Sequence, residues 1–341
     1  MFTNKRSYGL IGICLVVMFV IAASAMVSPG LAAKAGSKIR KHAIEAPNPT
    51  LLASDLQGAV GSTIGPDGAL YVTEGIAGRI SRVDPQTGEV STFATGLPLR
   101  RLGVGGAMDV AFLDDTAYVL VTLVGTDIGG TNVVGIYRMD SPDSFSVFAD
   151  IGAFSLANPP THSFPYSVRT GVQYALQAYR GGFLVTDGHL NRVYRVAPDG
   201  EVSELIAFDN VVSTGLETRG NKIFMTEAGP VPHLPQNGKV MEFGPDSTTA
   251  LELASGASLL VDVEYSGRTL YALSQGDFPV GGRPATPAIP NTGRLVKVNG
   301  DGTLTEIISG LDRPTSLEFI GKTAYFVSLA GQVWKIEGIP H

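Results

Sequence analysis

Apolar and polar positions along this chain repeat on a scale of about 40 to 50 residues, the period of propeller and solenoid units. Two runs show it best. "ALYVTEGIAGRISRVDPQTGEVSTFATGL" spans Ala69 to Leu97, and "GFLVTDGHLNRVYRVAPDGEVSELIAFDN" spans Gly182 to Asn210. Each unit reads as a strand, a Gly/Asp turn, a second strand, a loop, a third strand, another turn and a fourth strand. The second strands begin "ALYVTE" at Ala69, "TAYVLV" at Thr116, "GFLVTD" at Gly182, "KIFMTE" at Lys222, "TLYALS" at Thr269 and "TAYFVS" at Thr323. They are near-continuous apolar runs, as strands buried on both faces should be. The third strands, such as "RISRVD" at Arg79 and "RVYRVA" at Arg192, alternate and so bury one face. Turn sequences such as "GPDG" at Gly65 and "NGDG" at Asn299 sit where hairpins need them.

Six such units predict an all-β fold, a six-bladed β-propeller with four-stranded antiparallel blades. The sixth unit stops after its third strand, at "KIEGIPH". "TLLASDLQG" at Thr50 resembles the fourth strands "LTEIISGLD" at Leu304 and "VSTFATGLP" at Val90. Residues 50–56 are therefore expected to complete the last blade and close the ring.

Composition adds the compartment. Lys5 and Arg6 precede an apolar run from Gly9 to Ala23, followed by small residues. This predicts a signal peptide over residues 1–35, with cleavage after Ala25, Ala33 or Ala35, then a linker over 36–48 and the propeller over 49–341. An uncleaved anchor is the alternative, because the apolar stretch approaches bilayer length. The single cysteine, Cys14, lies in that run, so an exported mature chain has no disulfide or thiol chemistry. Apolar residues make up 44% and charged residues 16%, enough for a large core. The net charge is −6 and the only basic block is "KIRKH" at Lys38, so no nucleic-acid partner is expected. After cleavage no membrane association is expected, and the protein is read as a secreted or periplasmic monomer.

In a propeller the loops after each second strand and the connections between blades share one face. Here that face receives every long insertion, among them Val124–Gly135, Gly229–Gly238 and Gly276–Gly293. Long loops gathered on a rigid scaffold are where binding residues sit. A small molecule or a protein is the expected partner there.

Two columns of aligned residues point toward that face. The second strands close on Glu74, Val121, Asp187, Glu227, Ser274 and Ser328. The innermost strands contribute Ser62, Asp109, Ala175, Gly215, Asp262 and Ser316. Five carboxylates from five blades, Glu74, Asp109, Asp187, Glu227 and Asp262, are thereby expected at one channel mouth. Two carboxylates about 4 Å apart repel by about 1 kcal/mol in water and about 4 kcal/mol in a shielded cleft. One reading is an oxygen-ligand Ca²⁺ site, with Asp187 or Glu227 as a general base. The other is that the acids cap strand ends by accepting backbone N–H bonds. The histidines lack metal-ligand spacing, and no G-x-S-x-G elbow supports serine hydrolysis.

"RRLGVGGAMDVAFLDDTAYVLVT" (Arg100–Thr122), "YALQAYRGGFLVTDGHLNRVYRVAPDG" (Tyr174–Gly200) and "FMTEAGPVPHLPQNGKVMEF" (Phe224–Phe243) resemble the ScyD/ScyE family of exported propellers. The resemblance implies kinship with NHL-repeat and gluconolactonase-like propellers, and brings no established reaction. Gluconolactonase-type propellers hold a divalent cation with Glu, Asn and Asp. By that resemblance Glu74 and Asp187 are candidate ligands, and Asn191, outside both columns, is a ligand-binding candidate. Three functions are thus in view: a binding propeller, a divalent-cation-dependent lactonase-like hydrolase, and, with less support, a quinone-cofactor sugar dehydrogenase.

Overall fold

A computed structural model describes residues 48–340. The chain forms six four-stranded antiparallel sheets whose innermost strands touch in a closed ring. Those innermost strands are Ala59–Ile64, Gly106–Leu113, Gln173–Tyr179, Ser213–Arg219, Leu260–Ser266 and Pro314–Ile320. Five blades use four consecutive strands. The sixth borrows its outermost strand from the start of the chain: Thr50–Ala53 pairs with Gln332–Ile336, with Thr50 opposite Lys335 and Ala53 opposite Val333. Beyond Ala53 the chain turns toward blade one, with Leu56 buried and its N–H on the Gly331 carbonyl at 3.1 Å. The six-bladed expectation and the closing strand are both met. The expected leader, Cys14 and nearly all of the linker lie outside the described residues.

Burial follows the apolar pattern. All of Leu70–Glu74 and all of Gly182–Asp187 are buried, because these second strands have a blade on each side. Each fully buried Leu or Val there contributes about 1.5–3 kcal/mol. Aromatic side chains fill the seams, as where Tyr71 meets Phe93 and Phe112 edge-on at 4.8 Å. The outermost strands are half exposed, as in Val90–Ala94. Among the described residues no helix is long and apolar enough to cross a membrane.

Every innermost strand carries a register shift near its start, where it holds one residue more than the strand it pairs with. Such bulges free backbone N–H groups for other partners. They place one row of such groups around the channel, below the looped face. The described chain enters blade six and leaves it on the opposite, plain face, where the Ile339 N–H bonds the Lys322 carbonyl at 2.9 Å.

Candidate functional site

The bulge row is stitched across all six seams, by Asp109, Asp262, Ser62 and Ser316 of the inner column and by threonines that stand one place before a column residue, Thr73, Thr186, Thr214 and Thr315. Thr73 Oγ1 accepts from Gly61 N–H at 3.0 Å and reaches the Met108 carbonyl of blade two at 3.2 Å. Asp109 Oδ2 accepts from Leu176 N–H of blade three at 2.7 Å. Thr186 Oγ1 donates to the Thr214 carbonyl of blade four, and Thr214 Oγ1 donates to the Leu260 carbonyl of blade five at 2.8 Å. Asp262 Oδ2 accepts from Leu317 N–H of blade six at 2.7 Å. Ser316 Oγ accepts from Ser62 N–H at 3.0 Å, and Thr315 Oγ1 donates to the Val60 carbonyl at 2.6 Å, joining blade six to blade one.

The pattern has an approximate two-fold: blades one and four match, as do blades two and five. Gly61 and Gly215 precede Asp109 and Asp262 of the next blade. A Cβ on Gly61 would lie 2.5 Å from Asp109 Oδ1, and one on Gly215 would lie 2.5 Å from the Asp262 Cα. Glycine is therefore what lets each Asp approach its neighbour. Asp109 and Asp262 face each other from opposite walls of the ring.

The five sequence-predicted acids do not form one group. Asp109 and Asp262 line the channel mouth; Glu74, Asp187 and Glu227 sit at the ends of second strands, among the loops of their own blades. Glu74 accepts from Arg79 Nε at 2.7 Å and Nη2 at 3.0 Å, and also from Ser81 Oγ and Gln57 N–H. Burial pushes its carboxyl up, but these donors together outweigh it and hold it below the usual range. Asp187 accepts from the N–H groups of Val172, His189 and Leu190, from Gln173 Nε2 at 2.8 Å and from Tyr194 OH at 2.9 Å. Glu227 differs from both. It is 3% exposed and no hydrogen-bond donor reaches it among the described residues. Burial, with added repulsion from Glu252 and against the pull of Lys239, raises its carboxyl to about 7. Asn191 is buried too; its Oδ1 accepts from Val211 and Val212 N–H at 2.9 and 2.7 Å and so shapes the connection to blade four. No group of three or more His, Cys, Asp or Glu arranged to hold a metal ion occurs among the described residues.

The inner strands enclose a cavity that five of the six column residues line, with Gly61 in place of Ser62 in blade one. Gly61, Asp109, Ala175, Gly215, Asp262 and Ser316, one from each blade, line a space of about 100 Å³ at the channel mouth. That is room for a few water molecules or a small polar group. One tier deeper lie Glu217, Glu264 and Glu318, from three consecutive blades. These were not among the expected site residues. The signal was present in "TGLET", "VDVEY" and "TSLEF", each with Glu two places after a column residue. No Lys or Arg follows the column at the equivalent place, and the carboxyls crowd. Burial first, then the charges of Glu217 and Glu318, raise Glu264 well above the carboxylate range. Glu318 is raised by burial and by Asp262 and Asp109. Asp262 rises to about 7, mainly through burial against the pull of its backbone hydrogen bonds, and Asp109 rises well above its usual value for the same reason.

No protein-family model matches the sequence, and no curated protein does. Solved structures do match. A gluconolactonase from Xanthomonas campestris superposes with a TM-score of 0.59 at 12% identity, covering 85% of this chain and 89% of its own. A PQQ-bound aldose sugar dehydrogenase from Streptomyces coelicolor gives 0.55 at 14% identity, over 85% and 98%. A luciferin-regenerating enzyme gives 0.55 at 11%, over 86% and 95%. The likeness is one of fold. It places the chain beside gluconolactonase-like six-bladed propellers, whose activities are their own.

Proposed function

We propose that this chain is an exported propeller that binds a partner, protein or small molecule, at its looped face. One observation carries the reading. Of the fourteen large apolar side chains exposed among the described residues, ten lie on connections of that face, nine on loops and Leu156 on the short helix Ile151–Ala157. They include Leu99, Leu102, Tyr166, Val231, Val280 and Ile289. The other four, Leu51, Val90, Val147 and Leu251, are spread one to a blade on outermost strands. Apolar side chains gathered on one face mark an interaction surface, whereas scattered ones need no explanation. The described chain enters and leaves on the other face, so nothing of it obstructs this one. Export rests on the leader-like residues 1–35, and kinship with the ScyD/ScyE propellers rests on the sequence resemblance.

The test compares two variants. One carries Leu99→Ser, Leu102→Ser, Val280→Ser and Ile289→Ser; the other carries Leu51→Ser, Val90→Ser and Leu251→Ser on the rim. Partners are trapped by crosslinking in the exporting cells and identified by mass spectrometry. The face variant should lose what the wild type captures, and the rim variant should keep it. Identical capture by both variants would refute the proposal.

The channel-mouth cavity favours a second reading, a lactonase-like hydrolase that depends on a divalent cation such as Ca²⁺. Asp109 and Asp262 are the acids that reach its lumen. A stoichiometric divalent ion in native mass spectra of the purified protein, lost in Asp109→Asn, supports it.

A further inference from the structure

Glu227 is a carboxyl whose expected donors are all missing, and its relatives within the ring show what they are. Three second strands end in an acid. In each, the residue paired with it on the third strand is basic: Arg79 for Glu74, Arg192 for Asp187 and Lys239 for Glu227. Two places further along, a hydroxyl donates to Glu74 from Ser81 and to Asp187 from Tyr194. Blade four has Met241 there. Its base is also diverted, because Lys239 Nζ pairs with Glu252 Oε2 at 2.7 Å. On the innermost strand the contrast repeats. Gln173, opposite Asp187, donates to it at 2.8 Å. Ser213, opposite Glu227, is fully buried and its Oγ has no partner.

A buried hydroxyl without a partner, Ser213 Oγ, thus lies across one strand pair from a carboxylate that is 3% exposed and takes no hydrogen bond from the described residues. Leaving a buried carboxylate without donors costs several kcal/mol, and native structures rarely tolerate it without a reason. The pair offers only acceptor capacity plus one rotatable hydroxyl. What it lacks is N–H donors with positive charge, the chemistry Arg79 supplies to Glu74. Glu252 is already neutralised by Lys239, so the local excess is one negative charge.

We infer that Glu227 and Ser213 form a subsite for a protonated primary amine, entered from the looped face beside the Ala228–Gly238 loop. An ammonium supplies three N–H donors on one small cation, enough for the carboxylate and for Ser213 Oγ at once. The loop carries Val231 and Leu234 exposed at its rim, apolar surface for the carbon body of such a ligand. This deepens the looped-face reading by assigning one ligand group, yet it can fail by itself, because its test reads Glu227 and no partner protein.

The probes are methylammonium and n-butylammonium chloride, with tetramethylammonium chloride at equal ionic strength as the donor-free cation and CaCl₂ as the divalent one. Melting temperature is read at pH 8. A primary amine at ten times its dissociation constant should raise it by about 2 °C over tetramethylammonium. Glu227→Gln should abolish the difference, and Ser213→Ala should reduce it. Both variants should melt no lower than wild type at pH 8 in the absence of amine, since Glu227→Gln removes a buried charge and Ser213→Ala an unpartnered hydroxyl, so a null response cannot be blamed on unfolding. Equal shifts from all the monovalent salts overturn the proposal. So do a response to Ca²⁺ alone, no response to amine in the wild type, or a full response in Glu227→Gln.

Discussion

Glu74 and Glu227 occupy the same place in blades one and four, on opposite sides of the ring, and their surroundings are reversed. Glu74 is clasped by Arg79, Ser81 and the Gln57 N–H, whereas Glu227 is equally buried and clasped by nothing. An identical acid in an identical strand position is thus a structural tie in one blade and a strained group in the other.

This contrast sets opposite outcomes for two neutral replacements. Glu74→Gln leaves Arg79 without its charge partner and should cost about 2 kcal/mol. Asp187→Asn should cost on the order of 3 kcal/mol, because five donors converge on its carboxylate and an amide can satisfy only some of them. Chemical denaturation at pH 7 measures both. Wild-type stability in Asp187→Asn would show that this acid is no tie.

Glu227 makes stability depend on pH with a defined sign. Its folded-state value of about 7 lies above the ordinary value for Glu, so the folded chain holds the proton longer than the unfolded one. Stability from this group is then full below about pH 4.5 and is lost as pH rises through about 7. The total is about 3 kcal/mol, at about 1.36 kcal/mol for each pKa unit. Glu227→Gln should flatten that part of the curve and be the more stable protein at pH 8. Parallel wild-type and variant curves from pH 5 to 8 would contradict it.

The deeper tier of the channel should act in the same direction. Glu264 and Glu318 are both raised well above the carboxylate range by burial and by neighbouring acids. Raising the pH through neutrality forces negative charge into a shared lumen. Glu264→Gln should therefore raise the melting temperature at pH 8 by a few degrees and change it little at pH 5. A variant that melts lower at both pH values would mean that Glu264 is held by contacts rather than strained by charge.

Ring closure is testable by deletion. Removing residues 49–57 takes away Thr50–Ala53, exposes the edge of Gln332–Ile336 and uncovers the seam where Leu56 is buried. An open edge with apolar surface beside it aggregates. The shortened chain should melt many degrees lower or precipitate; a melting curve that overlays the full-length one would exclude the pairing as a source of stability.

The periodic part of this protein was legible in one dimension. Strand burial is local: "LYVTE" is buried throughout because a blade lies on each side, and in "RISRV" only the two arginines reach solvent. The missing fourth strand of blade six and its counterpart at Thr50 could likewise be read by alignment, since each other blade carries four strands and residues 50–53 resemble the fourth. Both acid columns were visible as well, and Asp109 and Asp262 of the inner one line the channel cavity.

What each acid does was decided only in three dimensions. Glu74, Asp187 and Glu227 look alike in "VTE", "VTD" and "MTE", but a carboxylate's role depends on which donors reach it. Those donors come from Ser81, Tyr194 and Gln173, on other strands, and their absence in blade four follows from Met241 and from a salt bridge between Lys239 and Glu252. The seam-stitching role of Asp109 and Asp262 was equally hidden, because the amides they hold, Leu176 and Leu317, lie more than fifty residues away. Alternation of apolar residues depends on a strand's own two faces and so is written in the sequence; hydrogen-bond partnership depends on which strands the ring brings side by side, and that only the folded chain determines.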